Sequence, residues 1–300
     1  MNNIKFTLIN KNHFKSFTLI EIIIVIAIIG ILATVVIVNN NDAKQKADIA
    51  KGLGFSISIN QKLIDNLVSE WKFDEGSGTI ARDTWLGKND GTLYNDPIWK
   101  GEGECVSGSC LYFDGVDDYV NLPIMPKYSQ YTISVWINGK RDQSVGGIVM
   151  TGGASLQRWG LNLYKTKIAS LNTNGVSLDW WYIENYNFKN YPAGWHLITV
   201  ADDGITRKFY RDGTYVASYT NTIINKGVDA NFRIGKGGSS DASFFSGLID
   251  EVQIYNAALP SAQIQQHYVQ GLQSLLVNKA ISYQEYTQRM AEISKSLAKK

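Results

Sequence analysis

Adjacent acidic residues are the first candidates for chemistry in this sequence, because glycoside hydrolysis uses two carboxylates. Three such pairs occur: Asp74-Glu75, Asp117-Asp118 and Asp250-Glu251. Neighbouring residues on a strand point to opposite faces of a sheet, so no pair is expected to be catalytic by itself. Neither His196 nor His267 lies beside a candidate nucleophile, so a hydrolytic triad is not predicted. We therefore expect no catalytic residues and no enzyme activity.

Asp250 is the most informative polar residue of the sequence. It shares a strand phase with Leu248, Val252 and Ile254, which predicts that it lies on the same face as these apolar residues. If that face is buried, the carboxylate needs a metal ion or several hydrogen-bond donors. Two interpretations therefore stay open: Asp250 is a metal ligand, or it accepts hydrogen bonds from backbone amides at a corner of the fold.

Aromatic residues crowd one short stretch between positions 180 and 191. About half of them are expected to fill the core, and the remainder could form a platform on which sugar rings stack. The candidates for such a ligand-binding platform are Trp180, Trp181, Tyr182 and Tyr186. The alternative is that these residues only complete the core or the edge of a sandwich.

The two cysteines, Cys105 and Cys110, are separated by four residues. In an exported protein they would form one small disulfide loop, and in a reducing compartment they would be free thiols. A structural zinc site needs four ligands, so this pair does not predict one. We expect the disulfide, because the N-terminus indicates export.

Residues 17–38 form an apolar segment of 22 residues with one charged residue, Glu21. At ~1.5 Å rise per residue, a helix of this length spans roughly 33 Å, enough to cross the hydrocarbon core of a bilayer. Lys5, Lys11 and Lys15 precede it and place its start on the cytoplasmic side. A carboxylate inside an apolar span costs roughly 2.5 kcal/mol or more, so Glu21 is expected to have a functional partner unless it lies hydrated at the interface.

The start of this segment resembles the processing motif of type IV prepilins and pseudopilins. The residues that carry the resemblance are Lys15-Ser16-Phe17-Thr18-Leu19-Ile20-Glu21. The resemblance implies that prepilin peptidase removes residues 1–16 as a basic leader, cutting between Ser16 and Phe17, and methylates the new N-terminus. It also implies that Glu21 neutralises the N-terminal amine of a neighbouring subunit, since two buried charges offset each other when subunits align. The family usually has Gly before the cut, where this chain has Ser16.

Weakly apolar residues at helical spacing continue beyond Val38, which predicts one helix over residues 17–66 with residues 17–38 in the membrane. A flexible linker after the membrane segment is the alternative. The resemblance implies that the protein resides in the bacterial inner membrane before assembly and in a surface filament afterwards, with other pilin subunits as partners. A formal net charge of +2 provides no basic field, so nucleic acid is not an expected partner.

From Leu67 onward the apolar residues follow a period of two. Tyr131, Ile133, Val135 and Ile137, for example, alternate with the residues between them. Asp-Gly dipeptides at 203–204 and 212–213 separate β-rich runs and predict tight hairpins. Short strands without an interior helical pattern predict a mainly β fold, an antiparallel two-sheet sandwich over residues 67–259.

Five blocks of this region resemble the LamG-like jellyroll domains of the concanavalin A-like superfamily, and they occur in the family's order. The first block is Trp71-Lys72-Phe73-Asp74-Glu75-Gly76-Ser77-Gly78, followed by Asp83 and by Gly91-Thr92-Leu93. The others are Leu111-Tyr112-Phe113-Asp114-Gly115-Val116-Asp117-Asp118-Tyr119-Val120, Gly194-Trp195-His196 continuing to Val200, Tyr210-Arg211-Asp212-Gly213 and Gly247-Leu248-Ile249-Asp250-Glu251-Val252-Gln253-Ile254-Tyr255-Asn256. Related domains often hold Ca²⁺, which takes oxygen ligands. The resemblance therefore makes Ca²⁺ a possible cofactor, with Asp83 and Asp250 as the expected ligands.

Residues 260–300 return to a helical period, with Ile264, Tyr268 and Leu272 in one stripe. Residues 282–285, Ser-Tyr-Gln-Glu, have the pattern of a capping box that starts a second helix. We expect a helical hairpin that makes a packing or oligomer contact. A basic helix that touches a membrane is the alternative.

Together these features predict a pilin-like surface or filament subunit that displays a LamG-like domain for adhesion, with carbohydrate or an extracellular protein as its ligand. Two alternatives remain: a structural envelope module without a ligand, and a membrane-anchored enzyme that acts on glycans. Binding to glycans separates adhesion from a structural role, and turnover of a polysaccharide would favour the enzyme.

Overall fold

The computed structural model describes residues 66–126, 128–139, 145–151, 159–164, 167–173, 178–187, 193–220, 230–237 and 243–298. The expected leader and membrane segment, with Ser16, Phe17 and Glu21, lie outside the described residues. Within the described part of the chain, no helix combines the length and the apolar character needed to cross a membrane.

The described residues form two antiparallel sheets of eight strands each. Sheet A contains β1 (Leu67–Trp71), β4 (Ile98–Lys100), β5 (Cys110–Asp114), β7 (Tyr131–Gly139), β12 (His196–Asp202), β13 (Thr206–Arg211), β14 (Thr214–Thr220) and β16 (Ser246–Tyr255). Sheet B contains β2 (Ile80–Ala81), β3 (Gly91–Tyr94), β6 (Tyr119–Met125), β8 (Val145–Thr151), β9 (Trp159–Tyr164), β10 (Lys167–Thr173), β11 (Leu178–Asn187) and β15 (Ala230–Ile234). The order is β14-β13-β12-β7-β16-β5-β4 in sheet A, where β1 also pairs with β16, and β11-β10-β9-β8-β15-β6-β3-β2 in sheet B.

Strand β7 shows how the sequence builds the core between the two sheets. Ile133, Val135 and Ile137 are fully buried in the main core cluster, as the period of two predicts. The residues between them are buried as well, because they face a second layer. Ser134 and Trp136 are among these, at 1% and 3% exposed. A strand that is buried on both faces therefore connects two cores.

Two helices, α1 (Ser261–Val277) and α2 (Tyr283–Ala298), supply that second layer on the outer face of sheet A. Trp136 of β7 stacks on Tyr268 of α1, with ring centroids 5.5 Å apart and planes 16° from parallel. Gly271 permits this approach, because an added Cβ would lie 2.2 Å from the Trp136 ring. The expected fold class, a mainly β sandwich followed by a helical hairpin, is confirmed.

The predicted hairpins form where the Asp-Gly dipeptides occur. Asp203 Oδ1 accepts hydrogen bonds from the amides of Ile205 at 2.9 Å and Thr206 at 2.6 Å, which closes the turn between β12 and β13. Between β13 and β14, Asp212 and Gly213 have φ values of 49° and 71°. Positive φ at both central residues is the geometry of a type I′ turn, whose twist matches that of the flanking strands.

Only half of the predicted capping box forms at the start of α2. Ser282 Oγ accepts a hydrogen bond from the Glu285 amide at 3.1 Å, as expected. The Glu285 carboxylate does not complete the box and instead accepts a hydrogen bond from Arg289 at 2.6 Å. Arg289 also donates to the Trp195 carbonyl at 2.7 Å, so this arrangement ties the helix to the end of sheet A.

Candidate functional site

Sheet B presents aromatic and polar side chains on the face turned away from the core. The alternate residues of β6 enter the core, so Tyr119 and Asn121 lie on the opposite face. The strand register places Thr92, Asn121 and Arg233 in one cross-strand row. Tyr94 and Tyr119 are paired in the next row. We call these five residues the sheet B platform.

The platform is held together by ring contacts. The rings of Tyr94 and Tyr119 stack with centroids 4.9 Å apart and planes 4° from parallel. The Arg233 guanidinium carbon lies 5.8 Å from the centroid of Tyr119, within cation–π range. Tyr94 is 44% exposed, so the stacked pair reaches solvent. An aromatic surface beside a few polar groups can stack on a sugar ring and orient its hydroxyl groups.

Two polar atoms on this face lack a hydrogen-bond partner in the described part of the chain: Arg233 Nε and Asn162 Oδ1. Asn162 is 5% exposed and follows Leu161, which enters the core, so Asn162 lies on the same side of the sheet as the platform. A buried polar atom without a partner costs about 1–3 kcal/mol.

The aromatic residues expected to bind a ligand lie in β11, the edge strand of the same sheet. Trp180 pairs with Leu171, Leu171 pairs with Gly160, and Gly160 pairs with Met150. Because Met150 pairs with Arg233, the row of the platform continues across the sheet to Trp180. Trp181, Tyr182 and Tyr186 lie in the same strand. The structure describes the backbone of these four residues and not their side chains, so their role stays a prediction.

An acidic cluster at the turn between β5 and β6 was not recognised in the sequence as a metal site. Asp114, Asp117 and Asp118 each bring one carboxylate oxygen within 4.8 Å of the others. Asp118 Oδ2 accepts a hydrogen bond from the Asp114 amide at 2.9 Å. The spacing Asp-Gly-Val-Asp-Asp was the available signal, since a turn of this length folds its acids together. Oxygen ligands suit Ca²⁺, so this cluster could bind a metal ion.

Asp118 has the most unusual environment in that cluster. It is 3% exposed, and burial raises the pKa of its carboxyl to about 6. The neighbouring charges of Asp114 and Asp117 act in the same direction, while the hydrogen bond from the Asp114 amide lowers the pKa. A cation bound beside these carboxylates would favour their ionised forms.

The expected Ca²⁺ ligands, Asp83 and Asp250, are not brought together. Asp83 Oδ1 accepts hydrogen bonds from the amides of Glu70 and Trp85, at 3.2 and 3.1 Å. Asp250 Oδ2 accepts from the Val106 amide at 2.8 Å, and Oδ1 accepts from the Glu251 amide at 2.8 Å. The two carboxylates share no partner in these hydrogen bonds: Asp83 joins its loop to β1, and Asp250 joins β16 to the loop that contains Val106. For Asp250, this geometry agrees with the second interpretation from the sequence, in which the carboxylate accepts hydrogen bonds from backbone amides.

The predicted phase of Asp250 holds for Leu248, which packs on the helix side, and is wrong for Val252 and Ile254, because β16 contains a bulge. The register to β7 shifts between Asp250 and Gln253, and Glu251 has a φ of 48°. Asp250 pairs with Trp136 and so faces the helices, whereas Val252 lies in the core between the sheets. Asp250 is fully buried, and burial raises the pKa of its carboxyl well above its usual range. The bulge also places Glu251 on the helix-covered side.

The predicted disulfide is confirmed. Cys105 and Cys110 are bonded, with Cα atoms 5.4 Å apart, and both are fully buried. The loop that they close presents the amides of Val106 and Ser107 to Asp250 Oδ2 at 2.8 and 3.3 Å. The disulfide therefore fixes the donors that compensate a buried carboxylate.

His196 lies against a carboxylate, a contact that the sequence analysis did not predict. Its Nδ1 lies 2.8 Å from Asp212 Oδ2, beside the Arg289 and Glu285 pair of α2. A histidine held by a carboxylate could act as a general base. The described residues that line the cavity beside this histidine include Ser282 and no cysteine.

The fold is shared with several solved structures of low sequence identity. Domain 4 of AbnA, a GH43 extracellular arabinanase from Geobacillus stearothermophilus solved with arabinotriose, has a TM-score of 0.54 and 19% identity over 67% of this chain and 97% of that one. The botulinum neurotoxin serotype D binding domain has a TM-score of 0.55 and 12% identity over 68% of this chain. The chain spans about half, 52%, of that neurotoxin domain, so the match concerns part of it.

Two family descriptions match the sequence itself. The prokaryotic N-terminal methylation motif matches residues 11–37, which include Ser16, Phe17 and Glu21. The concanavalin A-like lectin/glucanases superfamily matches residues 114–265. The expected fusion of a prepilin-type motif and a jellyroll is thereby confirmed. Because the second match covers half of the chain and the structure has the corresponding fold, the protein belongs to the concanavalin A-like lectin/glucanases superfamily.

Proposed function

We propose that this protein is a type IV pilin-like subunit that displays a carbohydrate-binding sandwich on a surface filament. The N-terminal methylation motif supports the filament half of this proposal. In this proposal prepilin peptidase cuts between Ser16 and Phe17, and the apolar segment holds the subunit in the inner membrane until assembly. Glu21 then pairs with the N-terminal amine of a neighbouring subunit, which offsets the cost of burying each charge alone.

The observation that carries the binding half is the sheet B platform. Stacked tyrosine rings beside a guanidinium and an amide are the groups with which proteins hold sugar rings and their hydroxyl groups. Asn121 and Thr92 add polar side chains beside the rings on the same face. A structural neighbour solved with arabinotriose supports a short oligosaccharide as the ligand class. The cross-strand row leads to Trp180, so we expect the aromatic residues of β11 to extend the site.

Binding without turnover fits the platform better than hydrolysis does. The five platform residues include no carboxylate, whereas a glycosidase needs an acid and a base or nucleophile on either side of the scissile bond. The acids of the β5–β6 turn are adjacent in one cluster and do not face each other across a groove. We therefore propose that the sandwich is an adhesion module and not an enzyme.

Glycan arrays probed with the full chain in detergent test this function. We expect oligosaccharide binding that falls at least tenfold in Tyr94→Ala, because one stacking surface is lost. Tyr215→Ala is the matched control, since Tyr215 is 46% exposed on β14 of the other sheet and Tyr94 is 44% exposed. Equal losses in both variants would remove the platform from the proposal. Absence of binding to any glycan would favour a structural module, and turnover of a bound glycan would favour the enzyme.

A further inference from the structure

A second, separate cavity of about 240 Å³ lies between the outer face of sheet A and helix α1. Four titratable residues line it: Glu70, Lys72, Glu251 and His267. Hydroxyl groups of Ser107 and Ser274 contribute to the same wall. The lining is mainly polar although the cavity lies under a helix, where apolar packing would be more stable. Such a lining offers hydrogen-bond partners to a polar ligand.

The bulge in β16 is the reason that Glu251 reaches this cavity. Ile249 and Val252 both enter the core between the sheets, so a regular strand would send one of the two intervening residues inward. The positive φ of Glu251, 48°, lets Asp250 and Glu251 both face the helix side. A non-glycine residue in this region costs of order 1–3 kcal/mol, which the fold sustains at a position that presents a carboxyl group.

A hydrogen-bonded chain fixes the other polar groups of the cavity. Glu70 Oε1 accepts from Gln253 Nε2 at 2.9 Å, and Glu70 Oε2 lies 3.6 Å from Lys72 Nζ. Gln253 Oε1 accepts from the Tyr255 hydroxyl at 3.0 Å. The same hydroxyl lies 3.2 Å from His267 Nε2. Glu70 is therefore held in place by partners on two sides.

His267 completes the chain with an unsatisfied acceptor. Because Tyr255 gives its only proton to Gln253, His267 Nε2 must carry the proton that joins it to the Tyr255 oxygen. His267 Nδ1 is then a bare acceptor, and it has no hydrogen-bond partner in the described part of the chain. His267 is 8% exposed, and burial lowers the pKa of its ring to about 4, so the ring is neutral.

The charges of the cavity sum to one excess negative charge when Glu251 is ionised. Lys72 compensates Glu70, and His267 is neutral. The Asp250 carboxylate accepts hydrogen bonds from the backbone amides of Val106, Ser107 and Glu251. Burial, followed by the charge of Glu70, raises the pKa of Glu251 to about 8, while Lys72 opposes the shift and Asp74 adds to it. A cationic group beside Glu251 would balance this charge.

We propose that this cavity binds a small polyhydroxylated molecule carrying one protonated amine, the chemical class of the amino sugars. The ammonium group pairs with Glu251 and the hydroxyl groups meet the serine and glutamine side chains of the wall. The cavity is much larger than a single ion, and its walls offer hydroxyl and amide groups beyond what an ion needs. The site lies on the opposite sheet from the platform and is independent of it.

Isothermal titration calorimetry of the full chain with glucosamine at pH 7 tests this proposal. Glucose, which has the hydroxyl groups without the amine, and methylamine, which has the amine without the hydroxyl groups, are the controls. We expect glucosamine to bind at least tenfold more tightly than either. Equal binding of glucose would overturn the role of the charge, and equal binding of methylamine would overturn the role of the hydroxyl groups. Absence of glucosamine binding would overturn the site itself.

Two substitutions that should change the glucosamine affinity in opposite directions separate a binding role from a structural one. Glu251→Gln keeps the shape and should weaken glucosamine binding at least tenfold. Lys72→Met removes a competing positive charge and should tighten it several-fold. Glu292→Gln, on the exposed side of α2, is the control and should change nothing. Unchanged affinity in Glu251→Gln, or weaker binding in a folded Lys72→Met, would refute the electrostatic assignment. The Tyr94→Ala variant should retain this affinity, which distinguishes the cavity from the sheet B platform.

Discussion

Arg207 and Asp202 form an ion pair sealed inside the sandwich, at the base of the hairpin between β12 and β13. Arg207 Nε and Nη2 donate to Asp202 Oδ2 at 2.9 and 2.6 Å, and Arg207 is fully buried. Asp202 Oδ1 also accepts a hydrogen bond from the Gly204 amide at 2.8 Å, so the pair anchors the turn. Breaking such a pair is costly because the remaining charge has no water around it.

Removing the cation of this pair should therefore destabilise the fold strongly. We expect Arg207→Met to lower the free energy of unfolding by about 3–5 kcal/mol, since the Asp202 carboxylate stays buried without its partner. Lys208→Met is the matched control, because Lys208 is the exposed neighbour on the same strand, and its change should stay within about 0.5 kcal/mol. Urea unfolding followed by tryptophan fluorescence measures both. Similar losses in the two variants would show that the ion pair is not the cause.

The strands and hairpins of this domain were predictable because their signals are local. The apolar residues that alternate along β7 predict that Ile133 and Val135 lie in the core, without information from the rest of the chain. The turn between β13 and β14 forms because Asp212-Gly213 tolerates the positive φ that the turn demands. Each of these features depends on a few neighbouring residues, so the periodicity of the sequence or the residues of the turn predict it directly.

The candidate sites were harder to predict because each depends on an irregularity or on long-range register. The bulge at Asp250 and Glu251 changes which side of sheet A the later residues of β16 face. The alternating apolar pattern does not predict this bulge, because it does not indicate that Glu251 has a positive φ. The sheet B platform exists only because β3, β6 and β15 are neighbours in space, although Tyr94 and Arg233 are far apart in sequence. The sequence could not show that Asp83 and Asp250 lie in different places, because the phase of a residue along its strand does not give its distance from other residues.

The disulfide should stabilise the domain through the loop that it closes. The loop contains few residues, for which chain-entropy estimates give roughly 2 kcal/mol. We expect Cys105→Ser/Cys110→Ser to cost at least this much, because the amides of Val106 and Ser107 would no longer be fixed on Asp250. Thermal unfolding of both proteins, with and without reductant, provides the comparison. Free thiols found by alkylation of the exported, denatured wild-type protein would contradict the bond itself.

Calcium should stabilise the protein through the acidic cluster of the β5–β6 turn. If the affinity is that of extracellular modules, with Kd of about 1 mM, then 10 mM Ca²⁺ adds roughly 1.4 kcal/mol and raises Tm by about 3 °C. Asp118→Asn should abolish this response, because it removes the most buried of the three carboxylates. Asp96→Asn, at an exposed turn with positive φ, is the control and should keep it. An equal Ca²⁺ response in Asp118→Asn would exclude the cluster.

His267 should make the stability depend on pH below neutrality. Its pKa in the folded state is lowered to about 4 by burial, whereas an unfolded histidine has a pKa of about 6.5. The unfolded state therefore binds the proton first as the pH falls, and stability present above pH 6.5 is lost on the way to pH 4. The loss between pH 7 and pH 4 is about 3 kcal/mol for this one group.

Substitution of His267 isolates that contribution from other titrating groups. We expect His267→Gln to lose some stability at pH 7 and to show a shallower decline between pH 6.5 and pH 4. Urea unfolding at intervals of half a pH unit gives the difference between the two curves. His196→Gln is the comparison, because the His196 ring lies against the Asp212 carboxylate. Parallel curves for wild type and His267→Gln would contradict the lowered pKa.

Glu21 should be needed for assembly and not for membrane insertion. Removing a carboxylate from an apolar span makes insertion easier, so Glu21→Ala should still fractionate with the membrane. In a filament the same change leaves the N-terminal amine of the neighbouring subunit buried without a counter-charge, a loss of several kcal/mol at each contact. We therefore expect at least a tenfold drop in filament incorporation, measured by immunoblotting of sheared surface filaments from the native host.

Two measurements keep this prediction separate from a defect in processing. Mass spectrometry of the membrane-bound Glu21→Ala protein should find an N-terminus at Phe17, because cleavage precedes assembly in the proposed sequence of events. Asp42→Ala is the matched control, since Asp42 follows the apolar segment and should leave incorporation unchanged. Normal incorporation of Glu21→Ala would refute the charge pairing. Retention of residues 1–16 in the wild-type protein would refute the pilin-like assignment as a whole, because an uncleaved leader leaves no N-terminal amine within reach of Glu21.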